Sequence, residues 1–306
     1  MKHIHPLRVY NQVTLAIKNF VVYWLIPDKW YLFWKFKKVY GRSLNWKNPK
    51  SFNEKIQWLK LNDRNPQYHI LVDKLRVKPI VAQLIGSEHV IPTYGGGYSR
   101  VSDIPRDQLP ERFVLKCNHD AASTIVCKDK STFDWEYADY KMKWCLAHDY
   151  YHFENKQWAY KDIDRCIFVE HYMEDEETHE LRDYKFFCFN GKVKCFKIDK
   201  DRYTNHRANY YDVNCNLLPI CEKICPPDEK IEVKIPDNIK EMIALAEKIA
   251  KWINNPFVRI DLYNINGQIY FGETTFYPDG GFGILQPEEW DYTLGSWMDL
   301  SKLRTK

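Results

Sequence analysis

The segment Arg259–Thr275, RIDLYNINGQIYFGETT, has the pattern of a β-hairpin whose strands suit a buried sheet but also carry charged side chains. Asn266 and Gly267 provide the turn, because both residues accept the positive φ angles of a tight hairpin. The register of the hairpin decides where its acids lie. If Asn266 and Gly267 form the whole loop, Asp261 and Glu273 point to opposite faces of the sheet.

The alternative is a three-residue loop over residues 265–267, with a left-handed glycine as a bulge. In that register Arg259 lies opposite Glu273, and Asp261 shares one face with Glu273 and Thr275. The two carboxylates then lie on a diagonal, about 7–8 Å apart at the backbone. The segment by itself does not decide between the two registers.

Two acids on one face of a hairpin indicate a cation site. Asp261 and Glu273 repel each other at this spacing unless a positive group lies between them. Mg²⁺ fits the pattern, because it takes oxygen ligands and keeps waters and phosphate oxygens in its remaining positions. The alternative is an ordinary surface hairpin in which Arg259 and Glu273 form a cross-strand salt bridge. The segment by itself leaves both interpretations open.

Charge is distributed unevenly along the 306 residues. The composition, 45% hydrophobic and 16% aromatic, supports a folded core, and the length fits one large domain or two smaller ones. Residues 1–50 contain ten Lys or Arg and one acid, Asp28, so this part carries +9. The remaining 256 residues therefore carry −5 of the total of +4. This arrangement argues against a nucleic-acid-binding domain, which would spread positive charge over a folded face.

Residues 1–45 form a basic, aromatic leader in which Trp, Tyr and Phe are mixed with Lys. The leader contains no apolar run near the ~20 residues that span a bilayer, and no secretory cleavage pattern. Its composition suits a helix at the anionic inner surface of the cytoplasmic membrane. Alternatively, Phe20, Trp24, Trp30 and Trp34 pack on the body of the protein as a collar.

The nine cysteines are scattered, and none forms a CxxC pair. Cys215, Cys221 and Cys225 come nearest to a cluster, but no neighbouring histidine completes a zinc site. Buried free thiols in a reducing compartment are the simpler interpretation. We therefore expect a cytoplasmic protein, with peripheral contact to the inner face of the membrane through the leader as a further possibility.

Apolar periodicity and turn residues predict an α+β architecture. Ser51 and Glu54 form a capping box that begins one helix, and an apolar stripe predicts a core-facing helix over residues 239–253. VIPTYGGG, residues 90–97, is expected to be a turn-rich link. The other predicted elements are a helix over 73–86 that Pro79 kinks or restarts, strands at 112–117 and 124–127, a helix over 135–151, a strand at 166–172, and a hairpin over 183–199 with its turn at Asn190-Gly191.

A second group of candidate residues lies in FVLKCNHDAASTIVCKD, residues 113–129. Lys116 ends an apolar strand, and the loop Asn118–Thr124 follows it. A lysine beside a tight loop of backbone N–H groups is a common way to hold phosphates, and Ser123 and Thr124 add hydroxyls. The loop lacks glycine, so the alternative is a plain hairpin with one solvated lysine.

A third group is VEHYMEDEE, residues 169–177. A strand that ends in Glu170 and passes into a linker could offer backbone groups to a purine edge while a carboxylate holds the ribose. The alternative is a solvated acidic loop.

The order of these groups along the chain is more specific than any one of them. The run D-K-L-R-x-K at 73–78 comes first, followed by the strand–Lys116–loop–strand unit, V-E-H-Y-M at 169–173, and R-x-D with E-x-T twelve residues beyond the Asp. This succession resembles the ATP-grasp superfamily, in particular its TupA-like branch, which is linked to bacterial surface polysaccharides. The resemblance covers about residues 45–295. The segments that carry it are NPKSFNEKIQWLKLNDRNP, FVLKCNH, DYKFFCFNGK, DRYTNH and FVRIDLYNINGQIYFGETTFYP.

The resemblance implies an ATP-grasp fold, in which two α+β subdomains clasp ATP, and an ATP- and Mg²⁺-dependent ligase. The domain division that it implies is a leader at 1–45, a preceding helical region at 46–110, a lid at 111–165, and a large subdomain with the metal site at 166–306. The implied ATP ligands are Lys74 and Lys116 at the phosphates, Glu170, His171, Tyr172 and Met173 at the adenine, and an acid between Glu174 and Glu177 at the ribose. The implied metal ligands are Asp261, Glu273 and Thr275, with Arg259 at the transferred phosphoryl group.

Two positions depart from the family pattern. The usually glycine-rich phosphate loop reads HDAAST, residues 119–124, and Thr275 stands where many ATP-grasp enzymes have Asn. Thr is the weaker metal ligand of the two.

ATP-grasp chemistry would activate a carboxylate as an acylphosphate, which an amine then attacks to form an amide. The implied reaction joins an amino acid or amine to a uronic acid or a related group in capsule, exopolysaccharide or cell-wall polymer synthesis. The candidate acceptor-binding cations are Lys185, Arg202, His206 and Arg207, which suit a carboxylate. The alternative for these four is an ordinary charged sheet rim.

Two other functions are consistent with parts of the sequence. Asp199-Lys200-Asp201 is a D-x-D motif, which a glycosyltransferase could use to hold a metal and a sugar nucleotide. The leader and the altered phosphate loop would suit a non-catalytic assembly factor at a membrane. Binding of ATP, of a sugar nucleotide or of no nucleotide distinguishes the three.

Overall fold

The computed structural model describes residues 21–176, 181–200, 206–223, 225–227 and 235–304. A π-helical turn at Val21–Leu25 precedes the first α-helix. The α-helices are α1 (Asp28–Tyr40), α2 (Phe52–Asn62), α3 (Gln67–Leu71), α4 (Val77–Ile85), α5 (Trp135–Ala147), α6 (Tyr150–Phe153), α7 (Ile239–Ile253), α8 (Glu289–Trp297) and α9 (Ser301–Arg304). Short 3₁₀ segments lie at Ser87–His89, Val101–Asp103, Arg106–Gln108, Lys130–Thr132, Trp158–Tyr160 and Pro278–Gly281.

The strands form antiparallel sheets of six, four and two members over the described ranges. The strands are β1 (Thr93–Tyr98), β2 (Phe113–Cys117), β3 (Ile125–Cys127), β4 (Ile167–His171), β5 (Asp183–Phe189), β6 (Lys192–Lys200), β7 (Arg207–Asp212), β8 (Leu217–Leu218), β9 (Cys221–Glu222), β10 (Phe257–Ile265), β11 (Gln268–Thr275) and β12 (Leu285–Gln286). Their orders are β11-β10-β5-β6-β7-β8 in the large sheet, β1-β4-β2-β3 in the small sheet, and β12-β9 in the third. The α+β prediction is confirmed.

The large sheet contains most of the main core. β5 is buried along its whole length, and β10 along its first six residues, as expected for central strands. Helix α7 packs on β5, β6 and β10 with the apolar stripe that its periodicity predicts, including Met242, Ala246 and Ile249. Each large apolar side chain that leaves water here contributes about 1.5–3 kcal/mol. The opposite face of the sheet carries charged side chains and forms the floor of the candidate site.

The hairpin β10–β11 closes through a two-residue turn. Ile265 lies opposite Gln268, and Asn266 and Gly267 have φ angles of 52° and 83°. Of the two alternatives for the turn, the two-residue loop is therefore the one that forms. Both turn residues accept positive φ, so the shorter turn matches the strand twist without a bulge at its end.

The bulge lies further along the hairpin, in strand β11. Leu262 lies opposite Phe271 and Asp261 opposite Glu273, so Gly272 is the extra residue. This shift by one residue places the two acids directly across from each other on one face. The expectation of a shared face is confirmed, but through a bulge within the strand rather than in the turn.

The small sheet includes a strand that the sequence analysis did not anticipate. Residues 90–97 are not a turn-rich link, because Thr93–Tyr98 forms β1 and pairs with β4 through two irregular steps. At Gly96 a Cβ atom would lie 2.9 Å from the Cβ of Phe168 and 2.7 Å from the Leu75 side chain. The glycines thus allow a close strand approach. The small sheet takes strands from both sides of the predicted lid range, 111–165.

The N-terminal helices follow local signals only in part. Helix α2 begins at the predicted capping box, in which Ser51 Oγ accepts from Glu54 N and Glu54 Oε2 accepts from Ser51 N. The predicted helix over 73–86 forms only as α4, with Pro79 in its first turn, where a missing N–H costs nothing. The predicted helix over 135–151 is divided into α5 and α6, because His148 is extended.

Helix α1 has one packed face and one exposed face. Tyr31, Leu32 and Phe36 are buried, whereas Trp30 and Trp34 are each 55% exposed. The collar interpretation, which assigned packing to the tryptophans, is therefore wrong for Trp30 and Trp34. Trp24 is 48% exposed but stacks on His152, and Phe20 lies outside the described residues. Among the described residues, no helix combines the length and apolarity needed to cross a membrane.

Candidate active site

A guanidinium clamp fixes the acids of the hairpin β10–β11. Arg259 Nε donates to Asp261 Oδ1 and Arg259 Nη2 donates to Asp261 Oδ2, both at 2.7 Å. Nη2 also reaches Glu273 Oε1 at 3.3 Å and Thr275 Oγ1 at 3.1 Å. Arg259 lies opposite Thr275 on the paired strand, so it reaches Glu273 on a diagonal. The structure thus brings together all four residues that the sequence analysis assigned to the metal and phosphoryl end.

Burial controls the charge state of this group. Desolvation raises the pKa of Asp261 to about 6, although Arg259 beside it favours the ionised form. Burial by itself would lower the pKa of Arg259, but Asp261 and Glu273 reverse this effect and raise it above the ordinary value. At neutral pH the site therefore contains a permanent positive charge between two carboxylates.

These side chains fit part of a magnesium site. Asp261, Glu273 and the Thr275 hydroxyl present oxygen donors on one face, and oxygen donors are what Mg²⁺ takes. Within the described ranges no group of three or more His, Cys, Asp and Glu side chains is suited to a metal. A cation here would therefore complete its shell with waters and phosphate oxygens, as Mg²⁺ does in phosphoryl-transfer sites.

Lys74 connects the loop after β2 with the metal acids. Its Nζ donates to the carbonyl oxygen of Asp120 in the loop and lies 3.5 Å from Glu273 Oε2 in the large sheet. Its backbone N–H also donates to the Asn118 carbonyl at 2.9 Å. A lysine ammonium therefore lies between the candidate phosphate loop and the candidate metal site, as the resemblance implies.

A buried acid–amide pair holds Lys74 in this position. Asp73 is fully buried, and its Oδ1 accepts from the backbone N–H groups of Leu75 and Arg76 at 2.9 Å. Its Oδ2 accepts from Asn118 Nδ2 at 2.7 Å. Asp73 thus fixes the turn that carries Lys74 and joins it to the start of the loop. The sequence analysis did not assign Asp73 and Asn118, although the D-K-L-R-x-K run contained the first of them.

The loop itself offers backbone donors at its tip. Asn118, His119, Asp120 and Ser123 are buried and hydrogen bonded, which shapes the loop without glycine. Ala121 and Ala122 are exposed, and in the described part of the chain their N–H groups donate no hydrogen bond. Free N–H groups beside a lysine suit a phosphate. The residues HDAAST therefore fit a phosphate loop, and Ala121–Ala122 would take the role of glycines.

Glu170 lies between two lysines in the small sheet. Its carboxylate accepts from Lys116 Nζ and, at 2.5 Å, from Lys78 Nζ. Burial would raise the pKa of Glu170, but these two lysines lower it below the ordinary value. Lys78 was not among the predicted site residues, although it stands four positions after Lys74 in the same run. The Glu170 side chain is engaged by lysines, and its backbone lies in a strand that pairs with both β1 and β2.

The segment after β4 runs across to the large sheet. His171 is exposed at the strand end, and Tyr172 and Met173 are half-buried. Glu174 lies 3.7 Å from Arg112 and 4.0 Å from Lys128. The structure thus places four of the predicted nucleotide-binding residues on one connecting segment, and Glu177 lies outside the described residues.

The same segment is fixed to the hairpin turn. Asn266 N donates to Asp175 Oδ2 and Asn266 Oδ1 accepts from Glu176 N, both at 2.9 Å. The turn at Asn266 therefore also docks the connection between the two sheets.

A second set of charges crosses the large sheet beside Asp261. Asp261 lies opposite Lys185, and Lys185 lies opposite Lys197 on the next strand. Lys185 is ion-paired with Asp199, and burial lowers its pKa to about 8. Lys185 is thus inside the sheet and not at a rim. His206, with Nε2 3.6 Å from Asp199 Oδ1, and Arg207 are half-buried at the start of β7, and Arg202 lies outside the described residues.

Lys197 belongs to a closed polar network that the sequence analysis missed. Its Nζ lies 2.9 Å from Glu222 Oε2, and the same carboxylate accepts from Tyr210 Oη and Cys225 Sγ. Burial would raise the pKa of Glu222, but Lys197 and these donors lower it to about 2. The alternation of Cys195, Lys197 and Asp199 on β6 gave a weak signal, because all three residues point to one face.

The D-x-D motif begins at Asp199, and the partners of this residue decide whether it could bind a metal. It is buried on β6 and lies between Lys185 and Lys197. A carboxylate held by two ammonium groups is a poor ligand for a metal–sugar nucleotide complex. Asp201 lies outside the described residues.

Solved structures that resemble this chain share little sequence with it. No curated protein matches the chain. Among solved structures, a D-alanine–D-alanine ligase from Bacillus anthracis complexed with ATP is 14% identical with a TM-score of 0.45, over 77% of this chain and 66% of that chain. D-cycloserine synthetase DcsG is 14% identical with a TM-score of 0.44, over 78% of this chain and 72% of that one. This chain thus spans slightly less than two thirds of the first ligase's length.

A family model supplies the stronger result. The model for the TupA-like ATPgrasp family matches residues 54–299, which is most of the chain. The match includes the lysine run, the loop after β2, the connecting segment and the hairpin β10–β11. The fold is accordingly the ATP-grasp fold, and the chain belongs to the TupA-like ATP-grasp family.

Proposed function

We propose that this protein is an ATP- and Mg²⁺-dependent carboxylate–amine ligase that acts through an acylphosphate. One observation carries the proposal: Lys74 lies between the Asp120 carbonyl of the phosphate loop and the Glu273 carboxylate of the metal hairpin. The groups that would hold the phosphates and the groups that would hold the cation therefore meet at one point. A phosphoryl-transfer site requires this proximity, because a cation held by the hairpin would neutralise the charge of phosphates held by the loop.

The proposed reaction has two steps. A carboxylate oxygen of the first substrate attacks the γ-phosphorus of ATP, and the bond to the bridging oxygen of ADP breaks. The amine of the second substrate then attacks the acylphosphate carbonyl, phosphate leaves with the C–O bonding pair, and the nitrogen loses its proton to solvent. The products are an amide, ADP and phosphate. Bound Mg²⁺ would screen the phosphate charge during the first step.

The side chains of the chain have distinct roles in this proposal. Lys74, Lys116 and the N–H groups of Ala121 and Ala122 bind phosphate oxygens. Asp261, Glu273 and Thr275 hold the cation. Arg259 is the buried positive charge next to them, and it stabilises the phosphoryl group as negative charge redistributes during transfer. The small sheet acts as a lid that excludes water, which protects the acylphosphate from hydrolysis.

The positions of Lys185 and His206 support the binding of a carboxylate-bearing substrate beside the metal acids. Lys185 lies opposite Asp261 on the adjacent strand, so it is next to the metal acids. Its lowered pKa of about 8 shows that the present ion pairs do not fully offset its burial. We propose that the carboxylate of a uronic acid or an amino acid binds near Lys185. The reaction would belong to the synthesis of a capsule or a related surface polymer.

The decisive experiment measures nucleotide binding and then turnover. Calorimetry with ATP, UDP-sugars and GDP-sugars, each with MgCl₂, should show binding of ATP only. Phosphate release is then screened with amino acids and uronic acids, separately and in pairs. We expect release only when a carboxylate and an amine are both present.

The other outcomes identify the alternative functions. Binding of a sugar nucleotide in preference to ATP would indicate a glycosyltransferase and would contradict the ligase proposal. Binding of no nucleotide would indicate a non-catalytic assembly factor. If ATP binds and phosphate is released without an amine, the reaction does not include amide formation.

A further inference from the structure

The exposed face of helix α1 is fixed in place by its buried face. Tyr31, Leu32 and Phe36 pack inward, and Asp28 accepts from Tyr151 Oη and lies 3.7 Å from Lys156 Nζ. These contacts join α1 to α6 and to the segment after it. The outward side chains of α1 therefore form a fixed surface of the folded protein.

Large aromatic side chains occupy that outward face. Trp30 and Trp34 are one helical turn apart, each 55% exposed, with ring centroids 6.0 Å apart. Phe33 meets Trp30 edge-on at 6.4 Å. Just before the helix, Trp24 and Leu25 are 48% and 62% exposed. We call the exposed Trp24, Leu25, Trp30 and Trp34 the aromatic surface. Exposed apolar side chains that cluster in one patch mark interaction sites more often than isolated ones do.

Ring contacts connect the start of this surface to helix α5. Trp24 stacks on His152 at 3.8 Å, and the adjacent Tyr23 meets Phe153 at 5.1 Å. His148 then stacks on Phe153 at 5.1 Å and on Trp144 at 5.3 Å. Trp144 is itself 59% exposed. A further exposed indole thus lies next to the start of the aromatic surface.

Positive charge accompanies the aromatic rings. Lys29, Lys37 and Lys38 are exposed on α1. Residues 21–50 contain seven Lys or Arg and a single acid, Asp28, which is engaged with Tyr151. Exposed Trp next to Lys suits the polar–apolar boundary of an anionic bilayer, where rings enter the interface and ammonium groups meet lipid phosphates.

We propose that the aromatic surface, together with Lys29, Lys37 and Lys38, binds the surface of an anionic membrane peripherally. The charge pattern favours this partner over a second copy of the chain. A symmetric contact between copies would bring two sets of lysines together, and the repulsion would oppose it. An anionic membrane surface is complementary to both the exposed aromatic rings and the lysines. The proposal does not depend on the ligase reaction.

Sedimentation with lipid vesicles tests the proposal on the full chain. The probes are vesicles of phosphatidylglycerol and phosphatidylcholine at 3:7, and vesicles of phosphatidylcholine alone, each at low and high salt. We expect binding to the anionic vesicles at low salt and release at high salt. Lys29→Gln/Lys37→Gln/Lys38→Gln should weaken binding about 100-fold, since each basic residue near the surface contributes roughly a factor of five.

A second pair of variants tests the aromatic component. Trp30→Ser/Trp34→Ser should weaken binding by more than tenfold, because two indoles leave the interface. Trp252→Ser is the matched control, because Trp252 is 45% exposed on α7, far along the chain from the leader. It should bind like the unchanged protein. Circular dichroism and thermal unfolding verify that every variant is folded.

Three results would overturn the proposal. The first is no binding of the full chain to anionic vesicles at low salt. The second is equal binding by Trp30→Ser/Trp34→Ser and Trp252→Ser. The third is concentration-dependent self-association in analytical ultracentrifugation that the double Trp change removes, without vesicle binding. That last result would identify the surface as an interface between copies.

Discussion

Two charged clusters lie on the same face of the large sheet and differ in exposure. The metal cluster consists of Arg259, Asp261, Glu273 and Thr275, and its Glu273 side chain is 30% exposed. The Lys197 cluster consists of Lys197, Glu222, Tyr210 and Cys225, and the Glu222 and Lys197 side chains are only 5% and 7% exposed. Both clusters combine acids with a buried cation.

The difference in exposure separates a site from a structural network. In the Lys197 cluster every charge has its partner inside the protein, so nothing remains for a ligand to satisfy. In the metal cluster the Glu273 carboxylate is partly exposed to solvent and also lies 3.5 Å from Lys74 Nζ. Breaking a buried ion pair costs stability, and its paired charges contribute little to the binding of a further group. Substitutions in and around the two clusters test this contrast, from the largest expected effect to the smallest.

The largest expected effect is on catalysis, in the metal cluster. Glu273→Gln removes a metal-side charge from a half-exposed position without opening the core. We expect Mg²⁺-dependent ATP turnover to fall about 10³-fold, equivalent to about 4 kcal/mol. Phosphate release across a range of MgCl₂ concentrations measures the effect, with thermal unfolding as the check on folding. Full activity would restore the salt-bridge interpretation of the hairpin.

Asp261→Asn should lower turnover by a similar factor, and it should in addition lower stability. Its carboxylate neutralises a buried Arg259, so the change leaves that guanidinium with weaker partners. An Asp261→Asn protein that is as stable as the unchanged one would show that the clamp is not needed for the fold.

The second effect is on stability, in the Lys197 cluster. Glu222→Gln leaves the buried Lys197 ammonium without its carboxylate, and we expect a loss of about 3 kcal/mol in the free energy of unfolding. Urea unfolding measures it. ATP affinity of the folded variant should remain close to that of the unchanged protein. A large loss of ATP affinity with normal stability would move Glu222 into the site.

The same variant should alter the acid sensitivity of the fold. The folded-state pKa of Glu222, about 2, lies below its ordinary value of 4.5. Its contribution is therefore complete above pH 4.5 and is lost as the pH falls toward 2. Glu222→Gln should show a flatter loss of stability over that window. Identical acid profiles for the two proteins would contradict the lowered pKa.

The third effect is on nucleotide affinity, in the small sheet. Lys116→Ala removes an ammonium near the phosphate loop and one of the two lysines on Glu170. We expect the ATP concentration for half-maximal turnover to rise about 30-fold, or about 2 kcal/mol. Lys143→Ala is the control, because Lys143 is exposed on α5 and its ion pair is with Asp139. Equal small effects for both changes would mean that the loop does not hold phosphate.

The smallest effect should come from the bulge. A Cβ atom at Gly272 would lie 3.0 Å from the Asp261 carbonyl oxygen and 3.0 Å from the Tyr263 ring. Gly272→Ala should therefore shift the strand that aligns Asp261 with Glu273, at a cost of about 1 kcal/mol. We expect the Mg²⁺ requirement to rise about fivefold. Gly267→Asn at the turn should leave it unchanged, since Asn accepts positive φ and open space surrounds that position.

Local signals predicted many of the elements well. The capping box at Ser51 and Glu54, the stripe of α7 and the turn at Asn190-Gly191 all depend on residues close in the chain, and all three are confirmed. Residues 93–98 escaped prediction, because three consecutive glycines have no strand preference of their own. Pairing with β4 supplies the order that the local sequence lacks.

The candidate site shows the same division between residues that local sequence predicts and residues that only distant contacts identify. Asp261, Glu273 and Arg259 could be assigned from one hairpin and the family resemblance, because their spacing is local. Lys78 could not, since its role depends on contact with Glu170, 92 positions along the chain. Glu222, on β9, likewise contacts Lys197 from 25 positions along the chain.

The sequence by itself determined the family, the order of the functional motifs, the charge asymmetry and the two strands of the metal hairpin. Each of these depends on residue type and spacing along the chain. Tertiary structure decided the hairpin register, the partners of the buried charges and the division of α1 into packed and exposed faces. These depend on which distant groups share a desolvated space, where an unpaired charge or backbone group costs several kcal/mol and so selects one arrangement.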